Sequence, residues 1–390
     1  MYQTPIDRRG LSLITLAHIL TDLNQGAIPA LIPFIVAKEG LNYFGAAGIT
    51  VASTLISSVL QPLLGFSSDH KPMSWLIPVG MFVGGTGLAF SGWMPRYEFV
   101  LAAILLCGVG VAAFHPEAYR FANYYSRGQK ATGMSIFTVG GNVGFALGPL
   151  ALTFCVLHWG LTGTGFLILP AALMAGIYIL EQPRLRRLRQ EEQGATQVKG
   201  TSNWRAFSLL LGIIVARSMA YYCLSTFVPL YLIKYRGFQT SIANSSLTLM
   251  AVASIFGALV GGALADRWGH RRTLFTLALG ITASILLFVV TTGWLPFLFL
   301  VVVSGCLAAS FTISMVMGQY YGRGNLGLAS GLTTGLAIGL GGISAPIFGI
   351  MADWIGLPYT LSITAGLPFF AALAVLYLPK DFAERERNEL

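Results

Sequence analysis

The sequence predicts an all-α integral membrane protein whose twelve spans form two related six-helix halves. Three observations predict it. Of 390 residues, 55% are hydrophobic and only 10% charged, against roughly 25% charged in a soluble domain. The apolar residues fall in runs near the ~20 residues that cross a bilayer. Residues of special conformation or charge also recur at a nearly constant offset. The expected spans are 11–37, 44–67, 73–92, 97–121, 130–155 and 160–181, then 204–233, 240–265, 272–292, 295–320, 326–352 and 357–378. The hydrophilic stretch 182–203 separates them, so the expected domains are 1–181, a linker 182–203, and 204–390.

The net charge of +9 follows topology, which argues against a nucleic-acid partner. With the N-terminus inside, eighteen Lys and Arg residues fall on the cytoplasmic side; only Lys38, Arg96, Lys234 and Arg236 fall outside. That bias orients both termini to the cytoplasm of a bacterial inner membrane. Arg8 and Arg9 precede a long apolar segment with no small-residue cleavage site, so no cleavable signal peptide is expected. Cys107, Cys155, Cys223 and Cys306 sit in apolar runs without ligand spacing and read as buried small residues; no metal and no cofactor is expected.

In the first half, helix 1 reads AHILTDLNQGAIP and places His18, Asp22, Gln25 and Pro29 at i, i+4, i+7 and i+11, on one face. Lipid offers such a face no partners, so it looks into a cavity or onto another helix. The loop after helix 2 reads GFSSDHKP, with Gly65 and Asp69. Helix 4 reads GVGVAAFHPEAYRFA and clusters His115, Pro116, Glu117 and Arg120. Pro116 removes one backbone hydrogen bond and predicts a kink. Glu117 and Arg120 form either a structural ion pair or a pair that exchanges partners in a gate. Helix 5 carries Gly140, Gly144 and Gly148, a small face for close packing, and the buried amide of Asn142.

The second half repeats this plan. Gly65, Asp69, Gly144 and Pro149 recur 197 positions on as Gly262, Asp266, Gly341 and Pro346, and Pro33 and Lys38 recur 196 on as Pro229 and Lys234. Helix 7 carries Arg217 about 20 Å into the span at 1.5 Å per residue. Its planar fork suits a carboxylate, phosphate or phosphonate; the alternative is a salt bridge to Asp22. Tyr221 and Tyr222 beside it are packing residues or ligands. After helix 8, GALADRWGHRR fits the major facilitator loop signature G-x-x-x-D-R-x-G-x-R-R at Gly262, Asp266, Arg267, Gly269, Arg271 and Arg272. There Asp266 closes one helix end, and the three arginines can reach it and neighbouring ends as a breakable latch. A loop that only fixes topology is the alternative. Gly331, Gly335 and Gly339 repeat the small face in helix 11.

Ionisable groups inside a span are costly and mark function. Asp22, His18, Glu117 and His115 are the candidate proton carriers, with Gln25, Arg120, Asn142, Arg217, Tyr221 and Tyr222 as candidate substrate contacts. The reading is a monomeric proton-coupled secondary transporter, an exporter of small anionic or amphipathic compounds working by rocking of its halves. A proton symporter importing a small organic anion or other nutrient uses the same charges. An intramembrane enzyme is disfavoured: HExxH, GxSxG and paired cysteine motifs are absent. A non-transporting sensor would add a soluble signalling domain, and PKDFAERERNEL is only a charged tail.

The stretches AHILTDLNQGAIPALIP (17–33), QPLLGFSSDHKPMSWLIPVGM (61–81), GVGVAAFHPEAYRFA (108–122) and SIFTVGGNVGFALGPL (135–150) resemble the fosmidomycin resistance protein family, a branch of the major facilitator superfamily. FHPE and VGGN are the family-specific elements; the second half matches mainly through the loop signature and helix 11. The resemblance implies proton-driven export of small molecules, a phosphonate antibiotic being the named class. By position it directs attention to His18, Asp22, Gln25, His115, Glu117, Arg120 and Asn142. Thr138 departs from the family pattern, which has glutamine there, and this bears on substrate choice.

Overall fold

The computed structural model describes residues 6–70, 73–127, 129–190, 202–322, 329 and 332–379, and among them every regular element is helical. The chain divides into two compact units, one of residues 1–41 and 48–196, the other of residues 42–47 and 197–390.

Unit 1 contains α1 (Arg8–Glu39), α2 (Tyr43–His70, its first turn counted with unit 2), α3 (Leu76–Ser91), α4 (Tyr97–Tyr125), α5 (Lys130–Trp159) and α6 (Ile168–Gln190). Asp7 caps α1, its carboxylate accepting from the Gly10 amide at 3.1 Å. Gly40 ends that helix in the left-handed region at φ 63°, where glycine carries no Cβ penalty. The expected sixth span opens instead as a 3-10 stretch, Leu161–Leu167, and α6 runs past Glu181 into the hydrophilic segment. α3 has 16 residues, short for a span. α4 is continuous through Pro116. The core is Leu11, Ile14, Ile77, Met81, Phe114, Phe121, Phe137, Met174 and Tyr178.

Unit 2 contains α7 (Trp204–Arg236), α8 (Thr240–Trp268), α9 (His270–Val290), α10 (Leu295–Tyr321), a π turn (Leu332–Leu336), α11 (Ala337–Ile343), α12 (Ala345–Ile355), α13 (Leu357–Thr364) and α14 (Gly366–Val375). The last two spans are therefore each broken. The first break, at Ser344, precedes Pro346, and the second, at Ala365, precedes Pro368. Neither proline has an N–H to return to the preceding turn. Phe207, Leu210, Ile214, Leu274, Ile313, Met317 and Val375 form this unit's core.

Among the described residues eleven helical segments are long and apolar enough to cross a membrane, and Leu76–Ser91 is a shorter twelfth. Large apolar side chains also point outward, Leu180 at 82% and Trp354 at 84% exposure among them. Lipid is the solvent such a surface suits.

The repeat extends to hydrogen bonds. Asp7 N–H donates to Tyr125 O at 2.9 Å, and 196 positions on Asn203 N–H donates to Tyr321 O at 2.7 Å. Asn203 also caps its helix, accepting from Ala206 N–H at 3.2 Å. At the opposite ends, Lys38 donates to Met94 O and Arg236 to Val289 O. Each unit thus ties both ends of its first helix to a neighbouring carbonyl.

Candidate functional site

α1 is set on α5 by glycine: a methyl on Gly144 would collide with the Ile19 carbonyl, and one on Gly148 would stand 2.5 Å from Ala27 N. Backbones this close leave no lipid or water between them. The face of α1 that carries His18 and Asp22 is therefore sealed, with the two residues 3% and 5% exposed.

The structure brings His18, Asp22 and His115 together. His18 stacks on Phe137, ring centroids 4.0 Å apart and 16° from parallel, and donates from Nδ1 to the Phe137 carbonyl at 2.9 Å. His115 donates from Nδ1 to Val111 O, one turn back on α4, also at 2.9 Å. Both Nε2 atoms then face one carboxylate: His18 Nε2 lies 3.2 Å from Asp22 Oδ2, and His115 Nε2 lies 3.2 Å from Asp22 Oδ1. The second contact is at ion-pair distance without hydrogen-bond alignment. Tyr119 closes the cluster, its ring centroid 6.0 Å from that of His18 and 6.1 Å from that of His115. One ligand atom from each of the three lies within 4.8 Å of the others.

Glu117, two residues after His115 on α4, is fully buried, with Arg120 Nη1 3.8 Å from its Oε1. Gln25 and Asn142 are half-buried on α1 and α5; the polar contacts described for the triad do not include them.

In unit 2, Arg217 donates from Nη2 to Ser218 Oγ at 3.0 Å and lies over the Phe311 ring, 4.8 Å from its centroid. Its Nε is buried without a hydrogen-bond acceptor, and within this unit no ion pair reaches it among the described residues. A guanidinium with donors to spare is an anion receptor by chemistry. Tyr221 and Tyr222 stand beside it, half-buried, with ring centroids 5.2 Å apart at 81°. Ser218 holds the repeat position of Asp22, 196 residues on.

In the signature loop, Gly269 turns the chain between α8 and α9 at φ 84°. Arg271 reaches across to the end of α14, donating from Nε to Val375 O at 3.1 Å and from Nη2 to Leu376 O. A helix end leaves its last carbonyls short of donors; here Val375 O also accepts from Leu378 N–H at 3.1 Å. Asp266, Arg267 and Arg272 are exposed, and no ion pair joins them among the described residues; Gly262 is half-buried. The side chain of Asp69, the surroundings of Gly65, and Gly331 lie outside the described residues.

Several contributors were not singled out from the sequence, Tyr119 beside the two imidazoles and Ser218 beneath Arg217 among them. Phe137 and Val111 accept through backbone carbonyls, which carry no residue-type signal, and the Phe137 ring that stacks on His18 is one aromatic among many. Phe311 is one of 25 phenylalanines. Gly141 had a signal in VGGN: a methyl there would stand 2.6 Å from Asp22 Oδ2, so only glycine leaves the carboxylate its place.

A family model described as Major Facilitator Superfamily matches residues 14–343 and 210–390. The chain is 31% identical to the fosmidomycin resistance protein of Escherichia coli (strain K12) over 381 residues, covering 95% of this chain and 93% of that protein. It is also 31% identical to an uncharacterized MFS-type transporter of Bacillus subtilis (strain 168), covering 96% and 94%. Among solved structures, a bacterial homolog of the human lysosomal transporter Spinster, inward-facing and occupied, matches with a TM-score of 0.79 at 16% identity over 98% of each chain. The matched relatives are transporters rather than enzymes.

Proposed function

Since the chain belongs to the Major Facilitator Superfamily, and is thus a multi-pass membrane transporter of a small molecule, we propose that it is a proton-coupled exporter of small anionic or amphipathic compounds. It works as a monomer in the bacterial inner membrane, with both termini cytoplasmic, by rocking of its halves. The observation that carries the reading is the His18–Asp22–His115 cluster, a carboxylate between two imidazoles inside a span. Such groups are retained in a membrane where protons or substrate must bind. The cluster takes up a proton from outside and gives it up inside, and each exchange is linked to passage of substrate the other way. Glu117 and Arg120 lie along this route. Arg217, with Tyr221 and Tyr222, receives the anionic group; Gln25 and Asn142 supply further polar contacts. The loop from Gly262 to Arg272, with Gly65 and Asp69 in the first half, gates the cytoplasmic end.

Export is supported by the E. coli relative, whose name records resistance to fosmidomycin. A phosphonate carries the charge that Arg217 suits. A symporter would use the same groups, so direction is read in everted vesicles: export fills vesicles whose interior is acid, whereas symport with the proton empties them. Anion recognition is read separately by thermal shift on purified protein with phosphonates, organic acids, sugars and hydrophobic drugs. Stabilisation by an anion that disappears in Arg217→Gln is expected; no stabilisation by any anion removes the role given to Arg217.

A further inference from the structure

From the hydrogen inventory of the cluster we infer that it is a two-proton site, loading and releasing a pair of protons in each transport cycle. The inference rests on the proton-coupled reading and adds its stoichiometry.

A carbonyl oxygen only accepts. The 2.9 Å contacts of His18 Nδ1 with Phe137 O and of His115 Nδ1 with Val111 O therefore fix both rings with the proton on Nδ1. In the neutral ring Nε2 is then a bare lone pair, and it faces an oxygen of Asp22 at 3.2 Å in each case. An ionised carboxylate is also acceptor only. With no further proton, both contacts set lone pair against lone pair, and the buried cluster carries a charge of −1. One proton satisfies one contact and brings the charge to zero. A second satisfies the other and leaves +1. Asp22 presents a different oxygen to each imidazole at 3.2 Å, so each ring has its own acceptor for a proton on Nε2, the His115 contact needing a small reorientation to align.

Among the described residues of unit 1, the surroundings supply no substitute. From α4 the cluster meets the Tyr119 ring, and Glu117 and Arg120 lie on the same helix as a pair 3.8 Å apart. From α5 it meets Phe137 and Gly141, neither of which titrates. α3 carries no titratable residue, and α6 brings Tyr178, Glu181 and Arg184 only near its cytoplasmic end.

The test is 15N NMR of histidine-labelled, purified full-length protein in lipid nanodiscs without substrate, with the five histidines assigned by single replacement. Between pH 9 and pH 5, Nε2 of both His18 and His115 is expected to pass from bare to protonated while Nδ1 stays protonated. In Asp22→Asn, the amide donates to one Nε2 and accepts from the other, so one proton satisfies both contacts. Loading is then expected to fall from two rings to one. Loading of a single ring in the native protein overturns the inference, and so does loading of both rings in Asp22→Asn; the native sample decides alone if the variant does not fold. The parent reading fails differently: if pH-driven transport persists in Asp22→Asn, coupling by this cluster is wrong whatever the count of protons. If transport is lost but one ring loads, only the stoichiometry falls.

Discussion

Gly141 and Asp7 show what single residues do in the buried interior and at a helix end of unit 1. A methyl at Gly141 must displace the Asp22 carboxylate or the His18 ring, so Gly141→Ala is expected to cut pH-driven transport at least tenfold, with expression and elution on size exclusion near those of the native protein. Native rates in Gly141→Ala would show that the carboxylate does not need its observed position. Asp7 caps α1, pairs with Arg184, and through its amide holds the end of α4; Arg184 in turn meets Glu181, which pairs with Arg9. Burial opposes the Asp7 charge, but the Gly10 amide and the Arg184 guanidinium outweigh it and hold the carboxyl below its usual range. A carboxyl lowered by folding stabilises fully above its unfolded pKa and ceases to as pH falls through the folded value. Asp7→Ala is therefore expected to cost about 1 kcal/mol near pH 7, read as a drop in Tm that stays constant to about pH 5 and closes below about pH 4. His18, Asp22 and His115 stood out in the sequence because titratable groups within apolar runs are rare. Their common meeting point did not, since it depends on where α4 and α5 pack against α1 and on two carbonyls.

The glycine faces decide which elements touch. On α5, Gly144 meets the Ile19 carbonyl of α1, and on α8, Gly257 meets Gly305 of α10 without room for a methyl. Replacing Gly144 by leucine is expected to cost about 3 kcal/mol or more through backbone displacement, and to abolish transport because the Asp22 face moves with it; a native Tm for Gly144→Leu would contradict the packing. The loop signature was legible at every fixed position, and its Arg271 holds the end of α14. Arg271→Ala removes the side-chain donor from the Leu376 and Val375 carbonyls, the latter keeping the Leu378 N–H, at about 1–3 kcal/mol, and a lower Tm checks it. The broken spans were less legible. Pro149 and Pro346 are repeat counterparts, yet α5 runs unbroken through the first while the chain breaks two residues before the second. A proline removes the same hydrogen bond in both; packing around it decides whether the helix continues.

For the molecule as a whole, the repeat was read from six residue pairs and reappears as paired hydrogen bonds, Asp7 to Tyr125 and Asn203 to Tyr321. Composition and run length sufficed for the membrane class, because a lipid solvent leaves large apolar residues outside as well as inside. The halves differ at one repeat position with chemical consequence. Asp22 stands between two imidazoles in unit 1, whereas Ser218 in unit 2 accepts from Arg217. Architecture is duplicated, while the charged side chains are allotted unequally; the proposed function gives proton handling to the first half and anion contact to the second. Accumulation of fosmidomycin by everted vesicles under an acid-inside pH gradient tests this allotment most directly. Native vesicles are expected to concentrate the compound until an ionophore collapses the gradient, and Asp22→Asn vesicles to concentrate none while still exchanging labelled for unlabelled compound across the membrane. Equal accumulation by Asp22→Asn, or by native vesicles with the gradient collapsed, would contradict it.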